Sequence, residues 1–257
     1  MTDARVVETA ALFDRSAAYY DRVNTIICMG ADLRWRRWAA QRALATAPAR
    51  KPTESGPDKS LAPRVLDAFG GTGLVALELA RRGAHVTLAD VSPGMLRIAR
   101  GRAARRGLSL DVVVTDLTSC AAAELPGAPY DAITVAFGLR YVDDPAGLLR
   151  GLGAALAPGG AIVLLEAVVP RGGLVAALAG AYFFEVAPRV GTLLAGRGEL
   201  YAQLTSTVRA LGGAGDVLAH VRAAGLLTQE RRLFAGGIVA GVVARPPSGM
   251  VSSPATT

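Results

Sequence analysis

The feature that most constrains this chain is VLDAFGGTG, residues 65–73, where an apolar run of strand type passes straight into Gly70, Gly71 and Gly73 and then into a helical pattern starting near Leu74. Glycines at such a place let the backbone turn sharply and bring its N–H groups against a ligand at a helix N-terminus. That geometry belongs to the carboxyl end of a strand in an open α/β sheet. Asp90 closes the next apolar run, 17 residues beyond Gly73. A carboxylate there accepts hydrogen bonds from ribose hydroxyls, so the two features together predict a nucleoside-binding crevice.

The rest of the pattern agrees. Strand-like runs at Arg64–Phe69, His85–Asp90, Ser109–Thr115, Tyr130–Phe137 and Ala161–Val168 alternate with helical patterns at Gly73–Arg82, Pro93–Arg106 and Pro145–Leu156. Alternation of this kind implies βαβ crossovers and a parallel sheet covered by helices on both faces. Runs without polar alternation, such as AIVLLE and DAITVAF, suit strands buried on both sides. Two final runs, Leu226–Leu233 and Gly237–Ala244, are joined through Phe234, Ala235 and Gly236, which predicts an antiparallel hairpin edge. The expected organisation is a helical cap over 1–46, an exposed connector over 47–63, the α/β domain over 64–245 with a helical insertion at 173–224, and a disordered tail over 246–257.

Composition excludes several chemistries. Lys51 and Lys59 are the only lysines and both fall in the connector, which argues against Schiff-base and P-loop enzymes. Cys28 and Cys120 stand far apart, and with only His85 and His220 no metal site is expected. The net charge of +7 favours anionic partners, but the arginines are scattered rather than interleaved with aromatics, so no nucleic-acid partner is expected. Met1–Glu8 carries charges and no apolar core of a secretory signal, making cytoplasmic the default location. The uncharged apolar run Gly172–Phe184 has 13 residues and is too short to span a bilayer of about 30 Å. It remains a candidate lipid-facing wall, and peripheral contact with the inner face of a membrane stays open.

Gly71-x-Gly73-x-x-Ala76 also fits the dinucleotide fingerprint, so the loop alone does not separate a nicotinamide cofactor from S-adenosylmethionine. Asp67 tilts the balance. A carboxylate facing the crevice would attract the methionine ammonium and repel a pyrophosphate. No Tyr-x-x-x-Lys pair of a dehydrogenase is present. Asp116 ends the third strand, where a side-chain acceptor meets an adenine amino group or, alternatively, caps a helix.

At this point the sequence resembles the class I S-adenosylmethionine-dependent methyltransferases and, within them, the UbiE-type C-methyltransferases of menaquinone and ubiquinone synthesis. The segments carrying the resemblance are FDRSAAYYDRVNTIICMGADLRWRR, AFGGTG, LADVSPGML, DAITVAFGLRYVDDPAGLLRGLGAALAPGG, FEVAPRVG and AGGIVA, which together spread over residues 9–244. The resemblance implies a Rossmann-like, mostly parallel seven-stranded sheet with an antiparallel C-terminal edge. It implies S-adenosylmethionine contacts at Thr72, Asp90 on the ribose, Asp116 with Leu117 at the adenine, and Ala136 near the transferred methyl. The chain departs from that pattern at Asp116, Ala136 and Tyr141, where the quinone enzymes usually carry Asn, Ser and Asn.

Carbon methylation of a phenolic ring needs the adjacent hydroxyl ionised, and an unperturbed phenol ionises only near about pH 10. Arg140, in FGLRY after the fourth strand, is placed to favour the phenolate, or else to pair with Asp143 or Asp144. Tyr141 and Tyr20 are candidates to relay the proton. Trp35, Trp38, Phe183 and Phe184 are expected to cap the crevice. The leading expectation is methylation of a demethylmenaquinol-like polyprenyl quinol. The alternatives are a soluble aromatic or polyketide metabolite as acceptor, or a non-catalytic protein keeping the cofactor as a structural ligand. Oligomeric state is not legible.

Overall fold

In the computed structural model, which describes residues 3–48, 61–195 and 199–247, two helices precede the sheet: α1 (Asp3–Ile27) and α2 (Ala31–Thr46). There follow β1 (Arg64–Ala68), α3 (Leu74–Arg81), β2 (His85–Asp90), α4 (Pro93–Arg105), β3 (Asp111–Val114), β4 (Tyr130–Ala136), α5 (Pro145–Ala154) and β5 (Leu156–Ala167). The insertion is α6 (Gly173–Ala181), a π-helical turn (Tyr182–Val186), α7 (Ala187–Ala195), α8 (Glu199–Leu211) and α9 (Ala214–Ala223). The chain closes with β6 (Leu227–Phe234) and β7 (Val239–Arg245). The connector falls largely on residues 49–60 and the tail on residues from 248 onward, outside the described residues.

The seven strands lie in the order β3-β2-β1-β4-β5-β7-β6. β7 runs antiparallel to both β5 and β6, and the other pairs are parallel. Strand order therefore reverses between β1 and β4, and the crevice outside their carboxyl ends is where such sheets bind ligands. β1, β4 and the later part of β5 are buried along nearly their whole length, as their unalternating apolar sequences require. One core cluster is built around Leu66, Ile133, Ile162 and Leu149 on one face of the sheet, and the other around Val65, Leu88, Val163 and Trp38 on the opposite face.

Two glycines in the β1–α3 turn are dictated by space. A Cβ on Gly70 would lie 2.0 Å from Leu88 Cδ1, and one on Gly73 would lie 2.9 Å from Ala99 Cβ in a backbone at φ +78°. α4 begins at Ser92, whose hydroxyl accepts the Met95 N–H at 3.1 Å, with Pro93 in the first turn. Asp14 of α1 accepts hydrogen bonds from the Ser92 hydroxyl and from the Gly94 N–H, and Asp21 pairs with Arg102. These contacts hold α1 across the carboxyl end of the sheet.

Among the described residues one helix, Gly173–Leu194, is long and apolar enough by length and composition to cross a membrane. This corrects the sequence expectation, because the helix continues through Glu185 and Pro188 instead of stopping there. It forms a wall of the domain: the Tyr182 hydroxyl donates to the Ile27 carbonyl at 2.7 Å, and Ala187 is buried against residues of α1.

Candidate active site

Two cavities meet at the switch point. The first is lined by the glycine turn (Gly70, Gly71, Thr72), by Asp90 at the end of β2, by Asp116 and Leu117 after β3, and by Ala136, Gly138 and Tyr141 after β4. Thr9, Phe13 and Asp21 of α1 close over it and leave about 80 Å³ of free space. The second is an apolar cavity of about 480 Å³ between α1, α2, α6 and the β6–β7 turn. Tyr20, Arg36 and Phe137 line both cavities and form the partition between them.

Asp90 is fixed by two backbone donors, Gly71 N–H on Oδ2 and Ser92 N–H on Oδ1, both at 2.9 Å. Burial raises its pKa and those hydrogen bonds oppose the rise. Each oxygen keeps a lone pair for a further donor, which suits two ribose hydroxyls. Asp116 is engaged in a local turn, accepting from the Thr118 N–H at 2.9 Å and the Thr118 hydroxyl at 2.8 Å, while still lining the crevice.

Asp67 does not face the crevice. It is fully buried beneath the turn, accepting the Ala76 N–H at 2.9 Å and the Thr134 hydroxyl at 2.7 Å. Burial pushes its carboxyl up to about 6. Its role is to brace β1, β4 and α3, so the expected contact with an ammonium is corrected. Gly73 likewise packs α3 against α4 and does not line the cavity.

Arg140 lies in the wall of the apolar cavity with its side chain 3% exposed. Its partner is Glu166 near the end of β5, at 2.6 Å from Nη1, and neither expected aspartate. Asp144 instead caps α5, accepting the Gly147 N–H. Glu166 also accepts the backbone N–H groups of Arg140 and Ala167, so it is bound on both oxygens. Burial lowers the guanidinium pKa, but Tyr141 and Glu166 more than reverse this and raise it, so Arg140 stays charged. Its Nη2 donates to the Tyr141 hydroxyl at 3.3 Å and its Nε has no partner.

Burial pushes the Tyr20 phenol up to about 12, with Tyr141 adding to the rise and Arg140 opposing it, so Tyr20 is neutral near pH 7. Phe13 stacks edge-on against both tyrosine rings, at 5.7 Å from Tyr20 and 5.4 Å from Tyr141. Of the four capping aromatics, Trp35 and Phe183 line the apolar cavity. Trp38 packs under the sheet edge against Phe234, and Phe184 lies beneath Arg209. Cys28 also lines the cavity, but burial, aided by Asp32, pushes its thiol up to about 11 and leaves it inert.

Sequence reasoning missed four groups. Phe69 and Phe137 follow β1 and β4 with φ of +56° and +65°. Backbone of this kind costs a bulky residue about 1–3 kcal/mol and persists where a site demands it. Here it turns both rings into the crevice at the switch point. Arg36 lies 4.9 Å over the Phe137 ring. Glu166, a charge at the end of an apolar strand run, was the one visible signal.

This sheet order, with a nucleoside-type crevice at the first glycine turn, is the fold of the class I S-adenosylmethionine-dependent methyltransferases. Solved structures share the fold: a SAM-dependent methyltransferase from Aquifex aeolicus superposes with TM-score 0.53 at 16% identity, covering 80% of this chain and 88% of the other. An O-methyltransferase of neocarzinostatin biosynthesis, in complex with S-adenosyl-L-homocysteine and 1,4-dihydroxy-2-naphthoic acid, gives 0.51 at 21%, covering 74% and 51%. The chain belongs to the ubiE/COQ5 methyltransferase family, whose model matches residues 1–245. It is 36% identical to the demethylmenaquinone methyltransferase of Thermus thermophilus, over 91% of this chain and all of that one. It is 35% identical to that of Deinococcus radiodurans, over 88% and 87%.

Proposed function

We propose that the protein transfers a methyl group from S-adenosylmethionine to a ring carbon of a demethylmenaquinol-like polyprenyl quinol. The observation that carries this reading is the meeting of a nucleoside-type crevice and an apolar cavity of about 480 Å³ at Tyr20, Arg36 and Phe137, with the buried cation Arg140 in the apolar wall. The residues fit the cofactor: Asp90 has free lone pairs for the ribose, and Gly70, Gly71 and Thr72 of the glycine turn line the crevice beside it. When bound, S-adenosylmethionine supplies an electrophilic methyl group. With about 80 Å³ free, admitting it requires α1 to move off the crevice and then close, which excludes water.

The protein's part is mainly alignment and charge stabilisation. Arg140 holds the oxygen next to the reacting carbon as an oxyanion, and Tyr20 donates a second hydrogen bond to it. The methyl group that S-adenosylmethionine would supply replaces a ring-carbon hydrogen, with the hydroxyl proton lost to solvent before the crevice closes and the ring-carbon proton after it reopens. The test is incubation of the purified protein with S-adenosylmethionine and a reduced short-tailed demethylmenaquinol. The expected product is heavier by one methyl group on carbon; an O-methyl product or none overturns the reading. A soluble phenolic or polyketide acceptor is less favoured, because the cavity is walled by Ile27, Trp35, Leu178, Phe183 and Val239.

A polyprenyl tail also accounts for the outer surface. Leu174 and Leu178 of α6 are 74% and 62% exposed, and Met29 is 82% exposed, beside a cavity that Met29 and Leu178 themselves line. This patch is read as the contact with the cytoplasmic face of a membrane. Replacing Leu174 and Leu178 together with Asp should cut turnover of a long-tailed quinol in vesicles by about tenfold or more. Turnover of a tail-less analogue should change little. Equal losses on both substrates would refute lipid access by this route.

A further inference from the structure

We infer that Asp32 reads a second hydroxyl on the acceptor ring, so that the site selects a reduced 1,4-dihydroxy ring over one with a single hydroxyl or none. The inference rests on the quinol reading above and deepens it. Asp32 stands in the first turn of α2, only 3% exposed, and lines the apolar cavity. Its Oδ2 accepts the Thr25 hydroxyl at 3.2 Å, but Oδ1 is buried without any partner. A buried carboxylate oxygen left unpaired is costly, and such exceptions call for a missing donor.

The surroundings say what kind of donor. Arg36, one helical turn further along α2, lines the same cavity, and its Nε is also unpartnered. The guanidinium carbons of Arg36 and Arg140 lie 4.9 Å and 6.0 Å from the centroid of the Phe137 ring. Three buried polar atoms of the cavity's lining residues lack a partner, Arg140 Nε on one hand and Asp32 Oδ1 and Arg36 Nε on α2 on the other, while Asn24, Cys28 and Tyr182 are further polar lining residues. A ring with one oxygen satisfies Arg140 only. In a 1,4-quinol, one hydroxyl ionises beside Arg140 while the opposite one keeps its proton and donates to Asp32 Oδ1. The oxidised quinone has no O–H to offer, so it leaves Asp32 unpaired and is rejected. A site built around a substrate hydroxyl discriminates strongly against analogues lacking it.

The test measures binding of naphthalene-1,4-diol, kept reduced under anaerobic conditions, and of 1-naphthol to the full chain saturated with S-adenosylhomocysteine. Wild type should prefer the diol. Asp32→Ala should weaken diol binding roughly 10- to 100-fold, the range for a hydrogen bond to a charged group, and change 1-naphthol by less than about threefold. Asp32→Asn keeps an acceptor oxygen, so it should retain part of the preference; it carries the comparison if the alanine variant does not fold. A helix-capping role alone would shift melting and leave the diol-to-naphthol ratio unmoved. An unchanged ratio in both variants, or no preference in wild type, overturns the inference while leaving methylation of the quinol standing. Failure of wild type to bind either ring or to methylate the quinol overturns both.

Discussion

Arg140→Lys should lower kcat by about 100- to 1000-fold, the cost of losing one well-placed donor to a developing oxyanion. Affinity for S-adenosylhomocysteine should stay within about threefold, because Arg140 lines the apolar cavity and not the nucleoside crevice. Lysine keeps the charge beside Glu166, so an unpaired buried carboxylate does not confuse the result. It loses the planar fork that lets the guanidinium hold Glu166 at 2.6 Å and Tyr141 at 3.3 Å while leaving Nε free. The pH profile supplies a second readout. If Arg140 lowers the pKa of the bound hydroxyl, the variant's rate should climb with pH up to the free phenol's pKa near about 10, gaining up to about tenfold per unit, whereas wild type should level off earlier. A pH-independent loss, or an equal loss of cofactor affinity, would assign Arg140 to structure instead.

Most of the sheet was legible because its signals are local. The unalternating runs DAITVAF and AIVLLE suit strands buried on both faces, and the glycine turn followed by Asp90 fixed which strand ends form the crevice. Where the reading fell short, the cause was pairing across the chain. β5 begins at Leu156 and not Ala161 because Leu156 pairs with Tyr130 across a register irregularity that no local pattern announces. The helix after Gly173 outruns its apolar stretch because a π-helical turn, Tyr182–Val186, carries it without a break past Glu185 into α7.

The site divides along the same line. Asp90 could be placed by its strand end alone, and Thr72 through the family resemblance. Asp67 could not, since at a strand terminus the choice between facing the crevice and facing inward depends on Thr134 of the neighbouring strand and Ala76 of the following helix. The apolar cavity gathers side chains from Tyr20 to Val239 and has no sequence signature of its own. The left-handed backbone at Phe69 and Phe137 was invisible because positive φ is read from Gly, Asn or Asp and not from bulky aromatics. Glu166 stood in plain view at the end of an apolar run, but its partner lies 26 residues away and became evident only once β4 and β5 were paired.

Glu166→Ala should destabilise the protein by about 3–5 kcal/mol, because it strands a buried guanidinium whose chief acceptor is gone. For a domain of this size that corresponds to a fall in melting temperature of roughly 6–20 °C. Both side chains are nearly inaccessible, at 3% and 1% exposure, so solvent cannot take over for the missing carboxylate. The double replacement Arg140→Leu with Glu166→Leu should recover most of that loss, since desolvating two charges costs about as much as their attraction returns. Activity should not return with stability. Glu166→Gln, which still accepts from Arg140, should melt close to wild type, yet its reduced kcat should rise toward the wild-type value as pH increases, because a less firmly held Arg140 depresses the acceptor's pKa less. The double variant melting no higher than Glu166→Ala would mean that the pair is kept for stability; recovery of its melting, together with a Glu166→Gln rate that approaches wild type at high pH, would mean that Glu166 is kept to aim Arg140.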